Sequence, residues 1–461
     1  MNTSKNTLKK IIYGSFFTVV YPVYMIFLTR NIKVSFSIGK YLVLGTVLIL
    51  LGLTVTLRAM YELKSKGKGL PMNAFPPENL VEDGVYGIIP HPIYSGFCLF
   101  CIGIVLFYGL APGLLITVPV IMGGCIALVL GYENIYLKKK FGKCPEPALS
   151  FRKIFSPVIK VMLLDKVWKY LLNWSEKKAN SWKSYRIGKV RVINHFIYSG
   201  LAGGTGASIV VLILGKEYIP YVFTLMIIGI LGAAIIGQIL VGSTNKLSRP
   251  FGYFGSLIGI SAAGLILSAF RWELFRILAA FSVAAPATQA IGRIRCLIQG
   301  CCHGERTEEG MGITVENPHS RVCMLSHKCG IPIHPTQLYS IIGNVLLEGW
   351  ILLLWFSGIK LTVIAGVYLV GAGIIRFIEE AYRGEPLTKI IGNLRIYQWF
   401  SLVMYFSGMI IMAFPSENTF MWNFKDYKEA IVAGIIFFII SSLAMSIDFP
   451  DSNFRYSRLS G

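Results

Sequence analysis

The sequence predicts an all-α fold: a polytopic integral membrane protein of about twelve transmembrane helices in two blocks. Of its 461 residues, 54% are hydrophobic and only 15% are charged, and the mean hydropathy is +0.62. A soluble domain carries roughly 25% charged residues, so much of this protein's surface does not face water. Uncharged apolar runs of spanning length recur along the chain, and in lipid such runs must be helices because their backbone groups have no water to bind.

The apolar runs define candidate spans and a division into blocks. The runs lie at 11–28, 41–57, 94–108, 112–131, 194–215, 218–240, 252–270, 277–292, 340–357, 361–376, 398–414 and 430–447. The predicted parts are a first membrane block at 1–150, a basic amphipathic linker at 151–193, a second membrane block at 194–447 and a polar tail at 448–461.

The net charge of +21 comes mostly from connections between the spans. The positive-inside rule and contact with anionic lipids both predict basic connections. A nucleic-acid partner is not expected, because the basic run lacks the folded recognition modules of nucleic-acid binders. The expected location is the cell (plasma) membrane, which the chain crosses many times.

The linker has a helical pattern of its own. Apolar residues from Val161 to Leu172 recur at helical spacing, with Lys160 before them and Lys166 and Lys169 between them. This pattern predicts an amphipathic helix that lies on the membrane, or a linker of that character.

The polar segment between the second and third spans has a distinctive local pattern. Pro90 and Pro92 bracket His91 and restrict its backbone, and Gly96 allows a close approach. Glu133 stands at the end of the fourth span. A carboxylate in that position is costly in lipid, so it indicates a function such as holding the ammonium group of a ligand.

The first block resembles the isoprenylcysteine carboxyl methyltransferase and phospholipid methyltransferase superfamily over residues 40–145. The matching residues are Gly84, Tyr86, His91, Pro92, Tyr94, Gly96, Glu133, Phe141 and Gly142. The resemblance implies bound S-adenosylmethionine, with His91, Tyr94, Gly96 and Glu133 in the cofactor site. Three positions depart from the family: Pro90 stands in place of an arginine, Tyr132 in place of the first glutamate of a pair, and Asn134 in place of the arginine that follows the pair.

Arginines mark the second block. Arg293 and Arg295 lie at the end of the eighth span, and Arg376 lies inside a later one, four residues before Glu380. Residues four apart share a helix face, so Arg376 and Glu380 are expected to pair. A buried arginine in a span is costly and indicates function, and its planar fork suits phosphate. We therefore expect Arg293 and Arg376 to clamp the phosphate of a lipid headgroup.

These clusters resemble prolipoprotein diacylglyceryl transferase in order and content over residues 195–415. The matching residues are Gly292, Arg293, Gly300, His334, Pro335, Gln337, Leu338, Tyr339, Arg376, Phe377, Glu380, Arg383 and Gln398. The resemblance implies transfer of diacylglycerol from phosphatidylglycerol to the cysteine thiol of a lipoprotein precursor, with glycerol phosphate as the leaving group. Phe254 stands where the family has a histidine, and a Gly-Cys-Cys-x-Gly segment, 300–304, marks a divergent form.

The resemblance and the residue chemistry together give the expected site. The expected catalytic residues are Arg293, Arg376, Tyr339, Glu380 and, as a base, His303. The expected substrate-binding residues are His334, Gln337, Arg295, Gln299, Arg383 and Gly255. No cofactor is expected in the second block. The expected partners are a phospholipid and a lipoprotein precursor or another thiol acceptor.

The loop at 293–335 leaves alternatives open for its cysteines. A zinc ion could draw its ligands from Cys301, Cys302, His303, Cys323, His327, Cys329 and His334. Paired Cys-x-x-Cys knuckles are absent from this stretch, so no metal site is expected. A structural disulfide fits as well if the loop lies outside the cytoplasm.

The leading hypothesis is a membrane transferase that acts on glycerophospholipid, most simply a diacylglyceryl transferase. One alternative is an S-adenosylmethionine-dependent methyltransferase of lipids or of a lipidated cysteine, whose second block presents the substrate. Another is a lipid-binding or transport protein without catalysis.

Overall fold

The computed structural model describes residue 12 and residues 14–69, 77–143, 164–241, 252–268, 273–385, 389–454 and 457–459. The chain divides into two compact units: Met1–Lys166 with Ser357–Ile359, and Val167–Phe356 with Lys360–Gly461. The division falls inside the predicted linker. The predicted block boundaries stay predictions.

The first unit is helical throughout the secondary structure that is described. Its α-helices are α1 (Tyr21–Asn31), α2 (Leu42–Ser65), α3 (Val85–Ile88), α4 (Pro92–Tyr108), α5 (Val118–Leu128) and α6 (Asn134–Phe141). Segments of π-helix adjoin them at Phe16–Val20, Gly113–Thr117 and Val129–Glu133. Helices α2 and α4 pack along each other, with Gly52 of one close to the backbone of Gly96 of the other.

The linker contributes a helix and a hairpin. Helix α7 (Leu164–Ala179) confirms the helical pattern, and strands β1 (Ser184–Ile187) and β2 (Val190–Ile193) follow it. Leu172 and Ala179 of α7 are buried in one cluster with Leu297 and Leu338 of the second unit. The apolar face of this amphipathic helix therefore packs against protein. The start of the predicted pattern, 151–163, lies outside the described residues.

The second unit holds the longer helices. They are α8 (Phe196–Leu214), α9 (Ile219–Val241), α10 (Tyr253–Ser268), α11 (Leu274–Gln299), α12 (Arg321–Met324), α13 (Thr336–Phe356), α14 (Leu361–Ala381), α15 (Ile396–Met412) and α16 (Tyr427–Ser446). Short strands connect them: β3 (Ile313–Thr314), β4 (Pro332–Ile333), β5 (Ile390–Ile391), β6 (Leu394–Arg395) and β7 (Ile447–Asp448). The sheets are antiparallel, with β2 between β1 and β7, β3 beside β4 and β5 beside β6.

Helix α14 lies at the centre of the second unit. It packs against α11, α13 and α15, while α8 packs against α11 and α16. In its apolar stretch 78% of the residues are buried inside the protein, against 22% for the helix Leu42–Ser65. A span buried this fully faces other helices instead of lipid, so polar side chains on α14 meet protein partners.

The predicted all-α, polytopic membrane fold is confirmed. Among the described residues, eight helices are long and apolar enough to cross a membrane, and three shorter helices are also apolar. A helix overlaps each predicted run, including the first, which overlaps α1.

The C-terminal segment, predicted as a polar tail, is packed into the second unit. Asp448 accepts hydrogen bonds from the guanidinium of Arg191 at 2.7 and 2.8 Å and from the backbone of Leu459 at 2.9 Å. Leu459 is buried beside Ile193 and Ile298. The described part of this tail thus closes over the end of α11.

Two glycines set the distance between α9 and α10. A methyl group on Gly255 would overlap the carbonyl oxygen of Gly232, so the two backbones touch where the helices cross. Small residues at such crossings allow close packing of membrane helices, whose association gains little from hydrophobic burial.

We predict that Gly255→Ala separates α9 from α10 and lowers the thermal midpoint and folded yield of the protein in detergent. The matched control is Gly264→Ala on the same helix, where the nearest atom to the new methyl lies 3.9 Å away. Size-exclusion chromatography and a thermal unfolding scan give the readout. Equal behaviour of the two variants would show that the close crossing is not required.

Candidate functional site

Two arginines from different helices meet at one carboxylate. Arg293 on α11 donates to Glu379 Oε2 at 2.9 Å, and Arg376 on α14 donates to Glu379 Oε1 at 2.7 Å. Arg293 also donates from Nε to Ser340 Oγ on α13 at 3.0 Å. Glu379 and Arg376 are buried, and this one carboxylate accepts from both guanidiniums.

A second set of ion pairs continues from this point. Glu380 lies 3.2 Å from Arg376, which confirms the pairing predicted from their spacing, and accepts from Arg383 at 3.0 Å. Arg383 also donates to Glu385 at 3.3 Å. Burial lowers the pKa of Arg383, but Cys302 and then Glu380 raise it by more, so the guanidinium stays charged. Positive and negative groups alternate along the chain of contacts, which offsets the cost of burying each charge.

The arginine pair opens onto a small cavity, whose empty space of about 200 Å³ includes the open solvent at its mouth. Its lining is mostly polar and comes from α10, α11, α13 and α14: Tyr253, Gln289, Arg293, Ser340, Asn344, Ala372, Ile375, Arg376 and Glu379. Arg376 Nε and Asn344 Oδ1 are buried without a hydrogen-bond partner in the described structure. Buried polar atoms of this kind cost free energy unless something binds them, so they indicate a ligand.

Aromatic rings hold Arg376 from the other side. Its guanidinium carbon lies 5.8 Å from the ring centroid of Phe254 and 5.4 Å from that of Tyr397. The two rings stack on each other with centroids 5.2 Å apart. Phe254 stands where the resembling family has a histidine, and here it restricts the side chain of Arg376 by cation–π contact.

The His-Pro-Thr-Gln segment holds the cysteine loop and does not line the cavity. Gln337 donates to the carbonyl oxygen of Cys301 at 2.7 Å, and Thr336 donates to that of Cys302 at 2.5 Å. His334 and Tyr339 lie within 3.0 Å of each other.

Tyr339 is placed by two further rings. It stacks on Trp168 of α7 and meets Tyr382 edge to face. Tyr339, His334 and Gln337 therefore hold the loop that follows α11, and their predicted contacts with substrate stay predictions.

The other predicted residues of the second block also lie outside the cavity lining. Arg295 donates to the carbonyl oxygen of Met445 on α16 at 3.0 Å, and Gln299 donates to that of Leu459 at 3.0 Å. The reason is helical phase: residues two apart on a helix point about 200° apart, so Arg293 and Arg295 cannot share a face. Gly255 serves the crossing of α9 and α10.

His303 is a buried member of the loop. Its Nδ1 lies 3.0 Å from the carbonyl oxygen of Gly304 and its Nε2 lies 2.6 Å from Ser326 Oγ. His303 is not among the residues lining the cavity, and its predicted role as a base stays a prediction.

The cysteines of the loop form two groups. Cys323 and Cys329 form a disulfide, so the disulfide alternative is the one the structure contains. The zinc ligand set considered from the sequence is therefore wrong in these two members. Cys296, Cys301 and Cys302 are free thiols whose sulfur atoms all lie within 4.8 Å of one another. Cys296, on the last turn of α11, is a member that the sequence-based set left out.

In the first unit the structure brings His91 and Glu133 together. His91 Nδ1 lies 3.4 Å from Glu133 Oε1, across 42 residues of sequence. His91 has a left-handed backbone, with φ at 44°, just before α4. Glu133 Oε2 is buried without a hydrogen-bond partner in the described structure. Burial, and then the charge of Glu133, raises the pKa of Tyr86.

Two other predicted residues flank this pair. The ring of Tyr94 lies 6.3 Å from that of His91. Gly96 lies against Gly52 and Thr56 of α2, where a methyl group would overlap the Thr56 hydroxyl. Gly96 therefore serves the packing of α4 on α2, and its predicted contact with a cofactor stays a prediction.

Sequence reasoning missed several site residues. Glu379, which joins the two arginines, stands next to the predicted Glu380 and three residues after Arg376. Ser340 and Asn344 lie four apart on α13, with a hydrogen bond of 2.8 Å from the Asn344 side chain to the Ser340 carbonyl. Polar residues at that spacing inside an apolar run were the available signal, because polar groups within spans usually face protein or a cavity.

In the first unit the missed residue is Glu62. This buried carboxylate on α2 accepts from Arg58 and from the backbone of Val85, each at 2.9 Å. Gly84 precedes Val85 at φ 60°, and any side chain there would overlap the Glu62 carboxylate. Glu62 thereby fixes the start of α3, which leads to His91.

The chain matches two families. Residues 213–414 match prolipoprotein diacylglyceryl transferase, and residues 41–144 match phospholipid methyltransferase. Both resemblances are confirmed. The first match contains the arginine pair and its cavity, and the second contains His91 and Glu133.

Relatives of known name match the second block. A phosphatidylglycerol–prolipoprotein diacylglyceryl transferase of Clostridium tetani is 28% identical over 206 residues, which cover 41% of this chain and 79% of that protein. The second such enzyme of Clostridium perfringens is 28% identical over 203 residues, covering 40% and 74%. That of Polynucleobacter necessarius is 28% identical over 229 residues, covering 44% and 81%. These relatives are transferases by name, which supports the expected enzyme class.

We predict that Glu379→Gln destabilises the protein by about 3–5 kcal/mol, because it removes the charge that two buried guanidiniums share. Unfolding by sodium dodecyl sulfate, followed by circular dichroism, measures the free energy. Glu309→Gln, at an exposed position of the loop, is the control and should change it little. A loss below about 1 kcal/mol for Glu379→Gln would mean that the two arginines do not depend on this carboxylate.

Proposed function

We propose that the second unit transfers a diacylglyceryl group from phosphatidylglycerol to the cysteine thiol of a prolipoprotein or a related acceptor, in the plasma membrane. The observation that carries the proposal is the convergence of Arg293 and Arg376 on one carboxylate beside a polar cavity. The match with diacylglyceryl transferases over the same helices supports it.

The arginine pair suits the charge that this reaction develops. Breaking the bond between the glycerol carbon and the phosphate oxygen turns a phosphodiester monoanion into a monoester dianion. Guanidiniums fixed before the reaction stabilise such a charge without reorganising, and each donates in a planar fork. Arg376 Nε is aimed at no protein acceptor, so it is available to a phosphate oxygen.

Glu379 keeps the two guanidiniums in place before substrate arrives. Without it, two like charges would repel across the cavity. A phosphate in the cavity would share the arginines with Glu379 and would bind less tightly than to an uncompensated pair. Moderate binding of the ground state favours turnover, since only interactions that strengthen in the transition state accelerate the reaction.

We predict that Arg293→Ala and Arg376→Ala each lower transfer by at least about 100-fold, the typical effect of removing one preorganised donor. The assay follows labelled phosphatidylglycerol onto a cysteine-containing lipoprotein precursor peptide, with the mass of the product as confirmation. Arg276→Ala is the control, because Arg276 lies on the same helix α11 beside Glu273 and outside the cavity lining.

Activity that survives Arg293→Ala would contradict the proposal. If wild-type protein shows no turnover but binds lipid, and the arginine variants lose that binding, the alternative of a lipid-binding or transport protein is favoured.

A second candidate function concerns the first unit. The pairing of His91 with Glu133, and the orphaned Glu133 oxygen, favour a methyltransferase site for S-adenosylmethionine. A buried carboxylate oxygen without a donor fits a cationic cofactor, and His91, Tyr94 and Glu133 would hold it. When bound, this cofactor supplies an activated methyl group. The acceptor would be a lipid or a lipidated cysteine, and the two units would then act on related molecules.

We predict that the full chain binds S-adenosylmethionine and that His91→Ala and Glu133→Gln weaken binding by about 10-fold or more, equal to the loss of one charged hydrogen bond. Equilibrium dialysis with labelled cofactor measures it. Glu78→Gln, at an exposed position of the same unit, should bind as wild type does. Undetectable binding by wild-type protein would end the methyltransferase proposal and leave the transferase proposal untouched.

A further inference from the structure

Three free thiols meet at the end of α11, next to the arginine cluster. Cys296 lies on the last turn of the helix, and Gly300 then reverses the chain with φ at 75°. The reversal returns Cys301 and Cys302 to Cys296, so that all three sulfur atoms lie within 4.8 Å of one another. Cys301 Sγ also lies 4.0 Å from the carbonyl oxygen of Cys296.

The backbone at Cys302 is built for this arrangement. Cys302 adopts a left-handed conformation, φ 58°, which costs free energy for a residue with a side chain. Adjacent cysteines in an ordinary extended chain point to opposite sides, and the left-handed residue brings both sulfur atoms to the same side. Two hydrogen bonds hold the backbone of this turn. The Thr336 hydroxyl donates to the carbonyl oxygen of Cys302 at 2.5 Å, and the backbone N–H of Cys302 donates to Glu385 Oε1 at 2.9 Å.

Arginines lie close to the thiols. Arg293 precedes Cys296 by one helical turn but is paired with Glu379, and Arg383, which acts on Cys302, is paired with Glu380 and Glu385. The charge of Arg295 also acts on Cys296, and among the described residues its guanidinium donates to the carbonyl oxygen of Met445 and pairs with no carboxylate. Three thiolates and a divalent cation carry a net charge of −1, which Arg295 offsets. A cluster of this charge is therefore stable in a buried place where three bare thiolates would not be.

We propose that Cys296, Cys301 and Cys302 bind a zinc ion and leave its fourth position open for the thiol of the acceptor. Zinc is bound by thiolates at about 2.3 Å in a tetrahedron, so two sulfur ligands lie about 3.8 Å apart. The observed spacing needs only a small contraction to reach that distance. Three protein ligands with one open position are typical of catalytic zinc sites, whereas structural sites use four.

This inference rests on the proposed transfer, which requires an activated acceptor thiol. The acceptor thiol must become a thiolate, and His303, the candidate base, has both ring nitrogens occupied. A thiol that coordinates zinc is deprotonated outright. Zinc would thus activate the acceptor thiol beside Cys296 and Cys302, whose charges act on Arg293.

The acceptor thiol binds zinc and releases its proton to water. Its sulfur then attacks the glycerol carbon of phosphatidylglycerol and forms a thioether bond. The bond between that carbon and the phosphate oxygen breaks, and its electron pair leaves with glycerol phosphate, whose added negative charge faces Arg293 and Arg376. The thioether product, as a weaker ligand than a thiolate, leaves the zinc.

The first experiment measures metal in the full chain, purified in detergent with a phosphine reductant and without chelators. We expect about one zinc per chain by mass spectrometry of the metal. Cys301→Ser and Cys302→Ser should each weaken zinc binding more than about 100-fold, beyond the effect of losing an outer-shell contact. The control replaces the free thiols of the first unit, Cys98, Cys101 and Cys125, by serine and should keep the zinc.

The second experiment tests the open position without relying on activity or on variants that could misfold. Cobalt(II) replaces zinc in wild-type protein, and thiolate-to-cobalt charge transfer appears in the near ultraviolet. Adding N-acetylcysteine methyl ester should increase that absorption as a fourth thiolate binds. N-acetylserine methyl ester, which differs by one atom, should leave it unchanged.

Wild-type protein that takes up neither zinc nor cobalt overturns the metal site, and a cobalt spectrum indifferent to the added thiol overturns the open position. Transfer of diacylglycerol by zinc-free protein would also overturn this inference while the proposed function stands. Bound zinc that responds to thiols, in a protein that transfers no diacylglycerol, would keep the metal site and reject the proposed function.

Discussion

The contact between Glu379 and two guanidiniums is the interaction on which the second unit depends. Arg293 and Arg376 belong to different helices, and each would be costly to bury alone inside a membrane span. One carboxylate between them makes both acceptable and fixes how α11 meets α14. The same contact ties α13 to this pair, because Arg293 also donates to Ser340. Three helices are thereby aligned around a single charge.

The cavity follows from that alignment. Polar side chains of four helices face one another because the arginines face inward, and the space left between them is bounded by donors more than by acceptors. Beyond it the ion pairs pass through Glu380 and Arg383 to the loop that carries the cysteines. The loop and the cavity are therefore parts of one electrostatic unit.

Much of this architecture could be predicted from the sequence. Long uncharged runs located the helices, and the rarity of arginine within such runs identified Arg293 and Arg376, which do lie together at a cavity. The spacing of Arg376 and Glu380 predicted their ion pair. These predictions succeeded because they rest on local rules: the length of a span, the cost of a buried charge and the phase of one helix.

The remaining residues could not be placed by those rules. Motif order alone assigned Arg295 and Gln299 to the substrate, but their contacts are set by the phase of α11 and by segments far along the chain. Gly255 lies at a helix crossing that only the packing of α9 on α10 reveals. The grouping of Cys296 with Cys301 and Cys302 depends on the left-handed backbone of Cys302. A left-handed turn can be predicted from the sequence at a glycine but not at a cysteine.

The packing of the C-terminal segment has a consequence for how the protein is made. The carbonyl oxygen of Leu459 accepts hydrogen bonds from the side chains of Gln299 and Arg321, which precede it by 160 and 138 residues. At roughly 5–20 residues per second, a ribosome needs about 8–32 s to synthesise the stretch between Gln299 and Leu459. The helix that carries Arg293 thus enters the bilayer well before its end is covered. Insertion of this helix and closure of the C-terminal segment over its end are therefore separated in time.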